Sequence, residues 1–404
     1  MTDIFRPFGR ILRARFKDRP NRFLVRCEHG GKLLSAFLPN PGRLRELLLP
    51  GSRLYVVEEE ARPDRSTRFT VVGVDREGCP IMLDTHRTNG AARHLLEERL
   101  IPGLEDVSVV RQEVAVGRSR FDFLLRDGRG EMLLEVKSCT LFGRRVAMFP
   151  DAVTARGARH LEELAAHAAA GSRTAVLFIA HWPNARTFMP DFHTDLHFAR
   201  TFLSARGSVD LIPIAVRWQH DLSLSDRVRL LAIPWSLIET EAHDRGSYIL
   251  VLKLRERCWL PMGRTGNAFF PQGFYLYVGS AMANLSARMA RHVRTRKRFH
   301  WHIDWLRSAA EVHAVLAVRS STRLECAIAA GLGPISAWSI PGFGCSDCFC
   351  ASHLFGMADD PLQSPAFHRL LQYFRMDRYT DGDFPSQGAL AGNRGPSTLP
   401  DPHG

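Results

Sequence analysis

Two carboxylates and one ammonium interrupt otherwise apolar runs in the middle of the chain. Asp122 sits inside RFDFLL, and Glu135 and Lys137 stand two apart in LLEVKS. Residues two apart on a strand face the same way, and the Asp127-Gly128-Arg129-Gly130 turn between the runs predicts a hairpin. On such a hairpin the three groups converge. Unpaired charge in an apolar strand is costly, and a divalent cation, Mg or Mn by its preference for oxygen ligands, would offset the repulsion of Asp122 and Glu135. That cation could activate water at a scissile phosphate while Lys137 orients the water or stabilises the transition state. The same residues would also suit a buried ion pair or the polar face of a half-exposed hairpin. Downstream, Phe149-Pro150-Asp151-Ala152 leads into a helix carrying Arg156 and His160, four apart and so on one face. They are placed to bind phosphates beside the metal, or to form a solvated helix face.

A second constellation lies near the C-terminus. Tyr248 in GSYIL and Tyr277 in YLYVGSA fall in two predicted strands, with Gly279 allowing close backbone approach. A basic helix over about 284–298 follows, with Arg288, Arg291, Arg294, Lys297 and Arg298 and no acid among them. Like charges on a helix repel unless a polyanion lies alongside. Glu325 stands alone in TRLECAIAA. A tyrosine base (Tyr248 or Tyr277), Arg288 on a phosphate and Glu325 holding Mg or Mn would make a phosphodiesterase site. Ordinary strand aromatics and a helix-start acid favoured by the dipole would look the same.

Cys345, Cys348, Cys350 and His353 follow a C-x2-C-x-C-x2-H pattern, a soft ligand set suited to structural Zn. Four ligands so close demand a very sharp loop, so reduced loop cysteines or a redox pair stay open as readings. His300 and His302 flank Trp301 and fit either a helix start or contact with phosphate or bases.

The elements that would position these groups divide the 404 residues into several bodies. Residues 1–82 alternate short strand-like runs with turns and suggest a small barrel. Residues 83–220 read α-β-β-β-α-β, a mixed α/β domain; 221–245 lack a clean period and read as a linker. Residues 246–357 form an independent α/β unit, and 358–404, rich in Pro, Gly, Ser and Asp, read as a largely disordered tail. A formal charge of +12 from 54 Lys+Arg against 42 Asp+Glu favours a polyanionic partner. The basic residues are almost all arginine, the lysines being Lys17, Lys32, Lys137, Lys253 and Lys297. Lys137 therefore marks a place where a compact ammonium suits better than a guanidinium. No apolar run approaches the roughly 18 residues of a membrane span, and the start lacks a signal-type segment, so a cytoplasmic location without membrane is expected.

FLPNPGRL (37–44), DTHRTN (84–89), SRFDFLL, LLEVKSCTL and FPDAVTARGARHLEEL occur in order and resemble the sugar fermentation stimulation protein family, SfsA, over about 1–220. The resemblance implies DNA binding, an OB-like N-terminal barrel and a PD-(D/E)XK nuclease-like domain whose pattern maps onto Asp122, Glu135 and Lys137. OB barrels bind single strands through stacking and basic grooves. GSY, YVGSA, the basic helix, HWHIDWL, ECAIA and IPGFGCSDCFCASHLF are similar to the GIY-YIG-like domain family over about 246–356. Ser247 replaces the Ile of the first triplet, and Ser280 stands where DNA-cutting members often carry Lys. The expectation is a bacterial α/β multidomain protein that binds single-stranded or duplex DNA and hydrolyses phosphodiester bonds with Mg or Mn. The alternatives are a non-catalytic DNA-binding regulator of sugar-utilisation genes and a protein-interaction scaffold of two decayed nuclease folds.

Overall fold

A computed structural model describes residues 4–60, 67–117, 119–261, 266–294 and 298–379. Lys297, expected on DNA, lies outside them. Strands β1 (Ile11–Asn21), β2 (Leu24–His29), β3 (Lys32–Phe37), β4 (Arg53–Glu58) and β5 (Phe69–Arg76) form an OB-like barrel. It is closed by the parallel pairing of Ala36 with Phe69 and Phe37 with Thr70, and β6 (Cys79–Met82) is appended to β5. In β4 the period of two serves two cores: Leu54 and Val56 face the barrel interior, while Tyr55 and Val57 pack towards the next domain. That explains a strand buried on both faces in so small a barrel.

Helix α1 (Thr88–Glu97) then leads into β7 (Ser108–Val116), β8 (Ser119–Asp127) and β9 (Gly130–Cys139). The chain continues through β10 (Leu141–Phe142), β11 (Val146–Phe149), α2 (Ala155–Ala169), β12 (Arg173–Ala180), β13 (Thr187–Pro190), α3 (Leu196–Ser204) and β14 (Asp210–Trp218). The main sheet has the order β15-β14-β12-β9-β8-β7, with β9, β12 and β14 parallel, where β15 is Leu224–Leu230. Both faces are covered. Ala91, Ala92 and Leu95 of α1 pack with Leu134 and Val136 on one side. On the other, Ala158, Leu161 and Leu164 of α2 pack with Leu133, Val176 and Phe178. Parallel strands covered on both faces read as continuous apolar runs, as TAVLFIA does.

The segment expected to be a linker is instead built into the fold. β15 pairs antiparallel with β14, and α4 (Trp235–Glu241) follows it. Only alternate residues of an edge strand reach a core, so its pattern is faint.

The last body starts with β16 (Gly246–Leu254), the hairpin β17 (Cys258–Pro261) and β18 (Asn267–Phe270), and β19 (Gly273–Ala281). It continues with α5 (Leu285–Val293), α6 (His302–Ala309), β20 (Glu311–Arg319), α7 (Glu325–Leu332), β21 (Trp338–Ser339), β22 (Leu354–Met357) and α8 (Pro365–Gln372). Its antiparallel sheet has the order β20-β16-β19-β22-β21. Leu285, Ile303 and Leu306 of α5 and α6 cover one face, and Ile328, Leu332, Phe367 and Leu371 of α7 and α8 the other. Residues 358–379 are therefore part of the body and not of a disordered tail; 380–404 lie outside the described residues. Ser364 Oγ caps α8, and the chain beyond it docks on the preceding domain. His193 Nε2 meets Arg375 O at 3.0 Å and Arg378 Nη2 pairs with Glu241 at 2.9 Å, while Arg375 Nη2 donates to Ala317 O of β20 in its own body at 2.7 Å. The basic helix is also shorter than expected: α5 ends at Val293, Arg294 caps it, and Arg298 lies beyond it. Among the described residues no helix is long and apolar enough to cross a membrane.

Candidate functional site

Pairing of β8 with β9 brings Asp122 beside Glu135 and Val136, one step past the Phe123–Leu134 pair. Asp122 does more than face the strand. Its Oδ2 accepts the Val136 backbone N–H at 2.7 Å, and its Oδ1 accepts Asn89 Nδ2 of α1 at 2.7 Å. Burial, and then the charge of Glu135, push the Asp122 carboxyl up to about 6. Glu135 and Lys137 share the face of β9 that looks at α2, as the two-residue spacing requires. Lys137 Nζ pairs with Glu135 Oε1, and the same oxygen meets His160 Nδ1 at 2.6 Å. Burial pushes Glu135 up, but the His160 hydrogen bond and the Lys137 charge outweigh it and hold the carboxyl below its ordinary value. Glu135 Oε2 is buried and has no hydrogen-bond partner among the described residues.

His160 is buried, at 3% exposure, so it is a holder of Glu135 and not the phosphate ligand expected from its place on a helix. Arg156 is exposed and donates from Nε to His160 Nε2 at 3.3 Å. An arginine has no acceptor to offer, so His160 accepts at Nε2 and carries its proton on Nδ1, the atom facing Glu135. The chain Arg156–His160–Glu135–Lys137 is thereby oriented end to end. Asn89, which fixes Asp122, belongs to the DTHRTN motif, but nothing in its spacing gave it a role. The signal for His160 was its i,i+4 spacing from Arg156; only the packing of α2 on β9 shows where it points.

In the C-terminal body Tyr248, Tyr277, Arg288 and Glu325 line one groove of about 450 Å³, together with Ser280, Arg323 and Asp347. The Tyr248 ring lies on Gly279, where an added Cβ would stand 2.4 Å from the hydroxyl. Tyr248 Oη is 2.7 Å from His292 Nε2, a partner the strand motifs did not suggest. Burial pushes both Tyr248 and Tyr277 well above the ordinary phenol value, with the neighbouring Tyr277 and Glu325 respectively adding to it. Glu325 is engaged at both oxygens: Ser280 Oγ donates to Oε2, and His353 Nδ1 meets Oε1 at 3.2 Å. Burial raises its carboxyl, but the His353 and Ser280 hydrogen bonds bring it below the ordinary value.

Arg288 stacks over Trp301 at 4.8 Å. Arg291, expected to meet DNA, instead stacks over Trp301 at 4.1 Å and pairs with Asp304 at 2.9 Å, an acid with no exposed side-chain surface. The absence of acids inside the basic helix hid an acid from the next one. Arg294 and Arg298 are exposed. His300 and Trp301 donate backbone N–H groups to Asp304 Oδ2, and His300 and His302 also line the groove.

The cysteine cluster differs from the expected set in one member. Ligand atoms of Cys326, Cys348, Cys350 and His353 all lie within 4.8 Å of one another, and Cys345 is not among them. Cys345 opens the turn that returns to Cys348 N at 3.4 Å, and this sharp loop leaves the fourth place to α7. The cysteines are free thiols.

Three family profiles match the chain: "SfsA N-terminal OB domain" over residues 18–83, "Sugar fermentation stimulation protein RE domain" over 86–221, and "Domain of unknown function DUF123" over 247–375. The sugar fermentation stimulation protein homolog of Chloroflexus aurantiacus is 40% identical over 197 residues, 49% of this chain and 76% of that relative. The homolog of Methanothermobacter thermautotrophicus is 34% identical over 226 residues, 55% of this chain and 94% of the relative. Among solved structures, Pyrococcus furiosus SfsA in complex with Ca2+ is similar with a TM-score of 0.51 and 28% identity. That match covers 56% of this chain and 96% of that one.

Proposed function

Since the chain belongs to the sugar fermentation stimulation protein family, we propose that it binds DNA and hydrolyses phosphodiester bonds at the Asp122–Glu135–Lys137 site, which we read as PD-(D/E)XK-like. The observation that carries this reading is the asymmetry of Glu135. One oxygen holds two hydrogen-bonding partners, while Oε2 is buried without any. An orphaned buried carboxylate oxygen costs free energy, and a hard divalent cation, which takes carboxylate oxygens as ligands, would satisfy it. The donor set therefore fits Mg or Mn, held by Asp122 and Glu135, and a family relative was solved with Ca2+. Such a cation, when bound, supplies Lewis acidity and an activated water.

The chain's own residues supply the rest. Asn89 and the Val136 amide fix Asp122, and His160 fixes Glu135. Lys137, 16% exposed, lies at the mouth of the site and places an ammonium where negative charge develops on the phosphoryl oxygens. Arg156, exposed on the first turn of α2, anchors a neighbouring phosphate. Support for DNA as the substrate comes from the +12 charge and from the OB-like barrel joined to this domain.

The C-terminal groove favours a second reading for that body: a GIY-YIG-like platform that binds DNA without cutting it. Ser280, which donates to Glu325 Oε2, supplies a hydroxyl where, by the resemblance, DNA-cutting members often carry a lysine. Regulation of sugar-utilisation genes by DNA binding alone would need both sites to be silent. The test is incubation of the full chain with circular single-stranded, duplex and branched DNA, with Mg or Mn against EDTA. Metal-dependent cleavage lost in Lys137→Ala supports the nuclease, and binding without cleavage under every metal supports the regulator.

A further inference from the structure

We propose that the C-terminal body holds a structural zinc ion through Cys326, Cys348, Cys350 and His353, with Glu325 as the carboxylate that orients the histidine. Zinc with thiolate and imidazole ligands is tetrahedral, with bonds near 2.3 Å to sulfur and 2.0 Å to nitrogen, so its corners stand about 3.8 Å apart. The ligand atoms of this group already lie within 4.8 Å of one another, and Cys348 Sγ is 3.5 Å from His353 Nε2.

The orientation of His353 is independent evidence. Its Nε2 faces the sulfurs while its Nδ1 faces Glu325 Oε1 at 3.2 Å. Metal-bound histidines almost always donate their other ring nitrogen to a carboxylate or carbonyl, which fixes the tautomer that leaves Nε2 free to ligate. His353 is buried, at 1% exposure, so the ring cannot turn to another partner in solvent.

The loop around the cysteines gives a third observation. From Gly342 to Cys350 the chain has turns but no helix or strand. Phe349, its apolar residue between Cys348 and Cys350, points wholly into solvent at 110% exposure while the cysteines on either side are half-buried. A fully exposed phenylalanine is the reverse of burial by hydrophobicity, and a metal cross-link is a constraint that would gather the thiols on either side of it where no core holds the loop. Three thiols also cannot be consumed by one disulfide.

The consequence reaches the groove. Phe343, Gly344, Ser346 and Asp347 form one wall of it and Glu325 another, and the proposed ion ties that loop to the first turn of α7. Glu325 then serves as a positioning residue for a ligand, a role different from direct coordination of a catalytic cation.

Full-length protein expressed with zinc in the medium tests this by metal content, independently of any cleavage assay. The parent and Cys345→Ser should carry a single zinc ion, and Cys326→Ser should lose most of it. Glu325→Gln should keep the stoichiometry and bind zinc 10- to 100-fold more weakly in chelator competition. Should Cys326→Ser fail to fold, cobalt in the parent is the second measurement: tetrahedral d–d bands with thiolate charge transfer are expected. Loss of zinc from Cys345→Ser with retention in Cys326→Ser overturns the ligand set, and a parent that takes up neither zinc nor tetrahedral cobalt overturns the site.

Discussion

His160 Nδ1 stands 2.6 Å from Glu135 Oε1 across the contact of α2 with β9. This pair decides which oxygen of Glu135 remains for a cation. Because Arg156 occupies the opposite ring nitrogen, the imidazole can only donate towards Glu135, and Oε2 is left as the open acceptor.

His160→Ala removes that orientation and leaves part of a buried carboxylate unsatisfied. The expected result is a 10- to 100-fold loss of Ca2+ or Mg affinity together with about 1–3 kcal/mol of stability. Both follow from one thermal-unfolding titration, in which the metal-induced rise in Tm shifts to higher metal concentration and the metal-free Tm falls. An unchanged metal titration counts against the holding role.

Asp122→Asn should abolish the metal-induced rise in Tm, since a ligand stabilises only the folded state it binds. Asn89→Ala should reduce it while leaving some response, because the Val136 amide still fixes one oxygen of Asp122. An intact shift in Asp122→Asn assigns that residue to structure alone.

Asp127 at the hairpin turn is gripped by Arg173 with contacts of 2.6 and 3.0 Å. The Arg173 hydrogen bonds, with further bonds from Arg129, hold its carboxyl well below the ordinary range. A carboxyl depressed in the folded state stabilises above its unfolded value, near about 3.9, and the contribution is lost as pH falls through and below that value. The urea midpoint of Asp127→Asn should therefore lie below the parent's at pH 7, with the gap narrowing as pH falls below about 4. A gap independent of pH would sink this assignment.

Arg291 and Arg294 should separate cleanly. Arg291→Ala takes the cation away from buried Asp304, which keeps the backbone N–H groups of His300 and Trp301, and should cost about 1–3 kcal/mol of stability. Arg294→Glu, at an exposed position, should leave Tm nearly unchanged while weakening DNA binding and flattening its salt dependence by about one phosphate. Equal melting effects at Arg291 and Arg294 contradict the distinction.

How far the sequence reveals this molecule varies by element. The hairpin of Asp122 and Glu135 was legible because charges break apolar runs and a Gly-containing turn joins them. The four groove residues were legible as types, and the sheet order β16-β19 with α5 and α7 laid over it brings them together. β15 and α4 were not, since an edge strand with the pattern of LSDRVRL fully buries only Leu224. α8 hid behind a Pro- and Asp-rich stretch that in fact supplies its cap, Ser364, and the cap Asp360 of the short helical turn Pro361–Gln363 before it. Cys326 was invisible as a ligand because local spacing reports only neighbours along the loop, and α7 reaches the cluster through the fold. Arg291 looked available because Asp304 belongs to a different helix.

Cleavage of circular DNA by the full chain, with Mg or Mn, is the most direct measure of the central claim. Lys137→Ala should lower the rate by about 100-fold or more with little change in DNA affinity, because the ammonium acts in the transition state. Lys137→Arg should not restore it, and Tyr277→Phe in the C-terminal groove should keep the parent's cleavage rate. Absence of cleavage by the parent with every metal and DNA form, or cleavage that survives Lys137→Ala but falls with Tyr277→Phe, would contradict the account.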